Sequence, residues 1–272
     1  MTDLADREWR LIREDVRPGP MQMALDEIAA ETAAAGGPRT IRVYRWEPSC
    51  LSLGYAQATD TVDWEFCEAN DIDVTRRQTG GGGIYHDYDG DISYSIVAPK
   101  SELPGDLMDC YELLCEPILT AFDRMGVPAS FVGEAHPAIY EPACYLRGLH
   151  PAHDIVANGR KISGNAQYRR ADAVIQHGSL TYHVDAETHL DVFADPDAPD
   201  GSVPVSVDRF RDRVTGIDEE SEISRAEAVS TLEETLAAWV AAVPGEWTDA
   251  ELSAARDRVD EKYNADAWVL ER

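Results

Sequence analysis

Residues 75–87 read TRRQTGGGGIYHD. Four consecutive glycines, Gly80, Gly81, Gly82 and Gly83, lack Cβ atoms, so this backbone can adopt positive φ and let a ligand approach closely. Successive N–H groups in such a loop can also form an anion-binding nest. Arg76 and Arg77, just upstream, carry the charge to neutralise a carboxylate or a phosphate. Residues 73–77 read as a strand, and Ile84, Tyr85 and His86 begin another. The glycines therefore join strand to strand. A Walker loop and a dinucleotide-binding loop both lead into a helix and have other spacings, so neither nucleotide fold fits. A flexible turn between strands is the plain alternative. The adjacent arginines and the nearby His86 and Asp87 weigh against it.

Outward from this loop, residues 21–34 form an amphipathic run stopped by Gly36, Gly37 and Pro38. Short strands are expected around residues 41–44, 51–55 and 92–97, and a short helix over 62–70. Residues 107–125 carry apolar side chains at helical spacing, and Pro117 within them predicts a kink or break. Residues 154–184 read as a meander turning at Asn158-Gly159, a favoured two-residue hairpin turn. A helix and loop over 186–201 and helices over 225–240 and 248–260 complete the pattern. Strands in the first two-thirds and helices after them predict an α+β fold. No repeat or linker divides the chain, so residues 1–272 are expected to form a single domain.

The hairpin segment 158–167 reads NGRKISGNAQ. Its Lys161 is one of only three lysines, with Lys100 and Lys262, among 24 basic residues. An ammonium is a compact donor able to hold an acyl carbonyl and a phosphate oxygen. Ser163 and Gly164 beside it leave room for a close approach. A solvated strand lysine is the bland alternative.

Acidic residues number 51, and the formal charge is −27. Acids spread through every segment predict a surface adapted to high salt, where screening limits self-repulsion, with an ordinary acidic cytosolic protein as the bland alternative. Such a chain lacks the basic face that nucleic-acid binding needs. Five cysteines, Cys50, Cys67, Cys110, Cys115 and Cys144, are odd in number and have no metal-ligand spacing. Buried free thiols are the simplest expectation for all five, and no metal site is expected. No apolar run is long enough to cross a bilayer. The polar first ten residues show no signal-peptide core, so a cytoplasmic location is expected.

Taken together, these segments resemble the lipoate–protein ligase family, which includes cysteine-dependent octanoyltransferases. The loop RRQTGGGGIYHD is similar to the family's Arg-Arg, glycine-run, His-Asp signature. GRKISGNAQYR is similar to its lysine hairpin, and QHGSL (residues 176–180) to the strand that follows. MALDE (23–27), IRVYRWEPSCLSLGYAQ (41–57) and Lys262, Tyr263 and Trp268 occur in the family's order. The resemblance covers nearly the whole chain.

It implies a mixed β-sheet core flanked by helices, like the biotin–protein ligase catalytic domain. It further implies a narrow acyl tunnel and transfer of lipoate or octanoate to a lysine of a lipoyl-domain acceptor. By position, Arg76, Arg77, the four glycines, Ile84, Tyr85, His86, Asp154, Ser163, Gly164 and His177 would bind the acyl group or its adenylate. Lys161 would touch the acyl carbonyl. Two routes follow. A ligase would use ATP and Mg²⁺ to form an acyl-adenylate. An octanoyltransferase would load Cys144 from an acyl-carrier protein. Cys144 lies somewhat farther from Lys161 than the transferase pattern expects, and His153 stands where ligases place Asn. The uninterrupted glycine run points to the ligase as the leading expectation, with the transferase as its alternative. No accessory domain is expected within the chain, so a separate accessory subunit stays open. A non-catalytic acyl-binding module is a third reading, opposed by Lys161 and the glycine loop. A biotin–protein ligase would carry a different, Gly-Arg-Gly-Arg-type loop.

Overall fold

The structure, a computed structural model, describes residues 4–151, 153–169, 172–199 and 201–271. Strand β1 (Trp9–Arg17) leads into helix α1 (Gly19–Ala34), followed by β2 (Arg39–Trp46) and β3 (Cys50–Leu53). After α2 (Trp64–Ala69), strands β4 (Asp73–Arg76) and β5 (Ile84–His86) flank the glycine loop, and β6 (Asp91–Pro99) follows. Helix α3 (Leu107–Arg124) and β7 (Ala129–Phe131) precede the meander β8 (Asp154–Ala157), β9 (Arg160–Tyr168) and β10 (Ala173–Thr181). Three short helices, α4 (Ala186–Asp191), α5 (Val207–Arg211) and α6 (Ile217–Glu220), cross to α7 (Arg225–Val240) and β11 (Val243–Pro244). The described chain closes with α8 (Asp249–Arg258) and α9 (Asp266–Val269).

Among the described residues, eight strands form one sheet in the order β11-β1-β2-β6-β10-β9-β8-β7. β1 is parallel to both its neighbours, and the pairs from β2 to β7 are antiparallel. The expected mixed sheet flanked by helices is therefore present. Alternate residues of a strand face opposite sides, which gives the sheet two buried faces. Ile41 and Val43 of β2 pack with α3 and α7, while Tyr44 and Trp46 pack with α1 and α8. A second sheet, in the order β4-β3-β5, carries the glycine loop and packs on Phe193, Phe210 and Val214.

Two differences from the sequence pattern have physical causes. β1 reads as polar because Arg10, Arg13, Glu14 and Asp15 interrupt its apolar positions. Arg10 is nonetheless buried, held by Glu251 of α8 at 2.9 Å. Helix α3 continues through Pro117 without a break. The missing N–H costs one helical bond, and burial of Leu114, Ile118, Ala121 and Phe122 around the proline offsets it. No described helix is long and apolar enough to cross a membrane.

Candidate active site

A cavity of about 500 Å³ lies between the glycine loop and the β8–β9 hairpin. Arg77, Gly80 and Gly81 line it from the loop, and Asp154, Lys161 and Gly164 from the hairpin. Ile84, His86, Cys144 and His177 also line it. The two segments singled out in the sequence thus face one space.

Lys161 is 2% exposed. Its ammonium meets Asp154 Oδ1 at 2.8 Å, donates to the Cys144 carbonyl at 3.2 Å and lies 4.0 Å from Cys144 Sγ. Burial alone would lower its pKa. The neighbouring Cys144 sulfur and the Asp154 carboxylate outweigh burial and raise it. Burial pushes the Asp154 carboxyl upward, but the Lys161 ammonium and a bond from His153 hold it well below the usual carboxylate range. The His150 N–H also donates to Asp154 at 2.8 Å. The pair is therefore ionised and fixed.

Gly164 explains part of the hairpin signature. A Cβ there would stand 3.3 Å from Lys161 Nζ and 3.9 Å from Cys144 Sγ. Glycine leaves open the space in which thiol and ammonium meet. Cys144 opens a one-turn 3-10 helix that ends at Leu146. It is the one cysteine of the five that is not fully buried. Burial pushes the Cys67 and Cys115 thiols up to about 12 and raises those of Cys50 and Cys110.

The glycine loop holds Cys144 in place through its backbone. Gly83 N–H donates to the Pro142 carbonyl at 2.7 Å, and Cys144 N–H donates to the Gly83 carbonyl at 2.8 Å. A Cβ on Gly82 would stand 2.5 Å from the Pro142 carbonyl oxygen and 2.9 Å from Cys144 N. Gly82 and Gly83 support the cysteine segment from behind rather than line the cavity.

Not every residue expected at the ligand lines the cavity, and those that do are held by partners within the fold. Arg76 points away from the cavity and donates to the carbonyls of Gly54, Gln57 and Val269. It fastens α9 to the core, because adjacent β4 positions face opposite sides. Arg77 does line the cavity, but its donors go to Thr79, to the carbonyl of Ser52 and to those of Gly80 and Gly82. It braces the loop from inside. Tyr85 faces the second core, where its ring meets His189 at 5.2 Å. Ser163 is buried on the side of β9 away from Gly164. His86 pairs with Asp91 at 3.0 Å rather than with its neighbour Asp87, and stacks on Trp46 at 4.1 Å. Burial lowers its pKa, although Asp91 opposes the shift. His177 bonds Thr79 Oγ1 at 2.8 Å.

Sequence reasoning missed Tyr44, Trp46, Ser52, Ser93 and Ser179, which also line the cavity. Tyr145 escaped notice too. Its hydroxyl bonds Ser179 at 3.2 Å and accepts from Thr181 at 2.9 Å, and its ring lies 5.7 Å from Lys161 Nζ. Strand alternation was the available signal for the three serines, since each sits on a cavity-facing position of its strand. Among the described residues no group of three His, Cys, Asp or Glu side chains is arranged to hold a metal ion.

The chain is similar to known proteins. A model of the lipoyl protein ligase A/B catalytic domain matches residues 18–237. Octanoyltransferase LipM of Symbiobacterium thermophilum is 31% identical over 281 residues, spanning 98% of this chain and 100% of that protein. Octanoyltransferase LipM of an Exiguobacterium species is 35% identical over 197 residues, 68% of this chain and 70% of that protein. Among solved structures, the bi-partite lipoate protein ligase of Thermoplasma acidophilum matches with a TM-score of 0.75 at 25% identity, over 97% of this chain and 96% of that one. A lipoate-protein ligase A bound with ATP matches with a TM-score of 0.75 at 25% identity, over 96% and 98%.

Proposed function

Because the chain belongs to the lipoyl protein ligase A/B catalytic family and is an enzyme of its ligase and octanoyltransferase group, we propose that it is the cysteine-dependent member: it takes an octanoyl group from an acyl-carrier thioester and passes it to a lysine of a lipoyl domain. What carries this reading is the half-buried Cys144 thiol 4.0 Å from the Lys161 ammonium at the cavity wall. The glycine run alone points to the ligase branch. The relatives aligned along the whole chain are octanoyltransferases, and the side chains agree with them. A ligase needs cationic donors for phosphate, and those of Arg77 are committed to the loop's own carbonyls.

In the first half-reaction Cys144 Sγ attacks the thioester carbonyl of the donor. A new S–C bond forms, and the carrier thiol leaves with the proton that Cys144 gives up. The Lys161 ammonium stabilises the oxyanion, while Asp154 keeps it charged and aimed. In the second, the acceptor lysine's amine attacks the acyl-cysteine. An amide forms, and the departing sulfur takes the amine's proton, restoring the thiol. Residues 1–272 act in this scheme as one catalytic domain.

The test offers a lipoyl domain either octanoyl-carrier protein or octanoate with ATP. Label should come only from the thioester, and Cys144→Ser should abolish it. Lys161→Ala should lower kcat by about 10²–10³, as loss of an oxyanion donor does. Labelling from octanoate and ATP that survives Cys144→Ser would establish the ligase instead.

A further inference from the structure

The second half-reaction leaves one proton without a destination. An acceptor lysine arrives as an ammonium with a pKa of ~10.4, and only its amine is a nucleophile. At pH 7 the amine is less than about one part in a thousand. Attack on the acyl-cysteine is faster where a base at the cavity takes that proton.

Most titratable groups lining the cavity are unsuited to this. Lys161 already carries a proton, and Asp154 is held by that ammonium at 2.8 Å, which makes it a weak base. Glu141 pairs with Arg147 at 3.0 Å. His86 is closed in between Asp91 and Ser52, with Nε2 2.9 Å from the Ser52 hydroxyl. His177 bonds Thr79 through Nε2 and faces Asp26 at 3.6 Å through Nδ1. The Tyr111 hydroxyl accepts from the Gln167 N–H, and burial pushes its pKa up to about 12. Among the described residues, that leaves His150 and His153.

His153 has the setting of a general base. Its side chain is 35% exposed where it lines the cavity, so an incoming lysine can reach it. Nδ1 lies 3.5 Å from Asp154 Oδ2, while Oδ1 of the same carboxylate meets Lys161. The backbone fixes where the ring stands. His153 N–H donates to the His150 carbonyl at 3.3 Å, and the His153 carbonyl accepts from Asn165 Nδ2 at 2.8 Å. The His150 ring stacks on it at 5.1 Å, and the Tyr111 ring of α3 lies 5.4 Å away. Titratable groups around the ring are therefore Asp154, His150, Tyr111 and, behind Asp154, Lys161. With Nδ1 turned to the carboxylate, Nε2 is the nitrogen left to meet an amine.

We propose that His153 is the general base of the second half-reaction: its Nε2 takes a proton from the acceptor lysine's ammonium, while Asp154 steadies the ring through Nδ1. The freed amine attacks the acyl carbonyl, a C–N bond forms and the C–S bond breaks. The amine's second proton goes to the departing sulfur, and the imidazolium passes its own to water. This role deepens the transferase reading and rests on it for the acyl-cysteine.

The experiment isolates that half-reaction. Protein loaded from octanoyl-carrier protein, then freed of it, is mixed with a lipoyl domain, and loss of the octanoyl group is followed by intact mass from about pH 5.5 to about pH 9. Discharge should rise through one titration near that of histidine, ~6.5, and then level. His153→Asn keeps a donor for Asp154 but cannot take up a proton. It should slow discharge at pH 7 about a hundredfold, abolish that titration and leave a rate that climbs toward the pKa of lysine. Loading should fall far less than discharge. Hydroxylamine, an amine not protonated at neutral pH, needs no base and should discharge both proteins alike. A folded His153→Asn that serves the lipoyl domain at the wild-type rate overturns the proposal. So does equal slowing of loading or of the hydroxylamine reaction, which would mark a structural role. Should the variant not fold, the wild-type profile decides, and a rate proportional to hydroxide with no titration overturns the proposal too. Failure of Cys144 to take up the acyl group is a separate result, which overturns the transferase reading and this role with it.

Discussion

In the proposed transfer the chemistry concentrates on Lys161, whose charge depends on its neighbours. Burial works against the ammonium, and Asp154 is one of two groups that raise its pKa. Asp154→Asn removes that support, so the Lys161 pKa falls. A reaction that needs the ammonium should then lose its alkaline limb at lower pH than the wild type. A kcat–pH profile checks this, and an unmoved limb would remove Lys161 from the step that limits kcat. The sign for stability runs the other way. Asp154 has a depressed folded pKa, so its contribution is present above the unfolded value of ~3.9 and is lost as pH falls through the folded one. Lys161 and Asp154 were legible in the sequence through lysine scarcity and family resemblance. Arg76 was misleading, because a charged pair before a glycine run looks the same whether it faces a ligand or a carbonyl. Ser93 and Ser179 carried no chemical label, and only the strand register reveals that they face one cavity.

The segment carrying Cys144 bridges the glycine loop and the lysine hairpin. Gly83 pairs with that segment through backbone bonds on both sides, and Gly82 packs against it too closely for any Cβ. Gly82→Ala should therefore displace the cysteine turn. Transfer should drop about tenfold or more, and a cost of ~1–2 kcal/mol should lower the melting temperature by a few degrees. Gly80→Ala is the control for stability, since nothing lies within 4 Å of a Cβ there. Thermal melts of both variants separate the two cases, and equal melts would deny Gly82 its packing role. The main strands and helices follow from periodicity and turn residues, as at Asn158 and Gly159, where φ is positive at both positions. β1 was hidden because Arg10 is a buried strand residue whose partner, Glu251, lies far along the chain. A single sequence does not display such long-range pairing.

At the scale of the molecule, the net charge of −27 has to be tolerated by a compact fold. Raising the salt from 0.1 M to 1 M shortens the screening length from ~10 Å to ~3 Å. Melting temperature should therefore climb with NaCl across that range, and a flat or falling curve would show that self-repulsion is unimportant here. The two buried faces of the sheet fix β6, β9 and β10 in one register, so that an ammonium and a thiol share a cavity. The most direct measurement of that arrangement is the intact mass of the protein after incubation with octanoyl-carrier protein and no acceptor. The account predicts a single octanoyl group, bound as a thioester at Cys144, absent from Cys144→Ser and discharged on adding a lipoyl domain. An unmodified protein that instead makes octanoyl-adenylate from octanoate and ATP would contradict it.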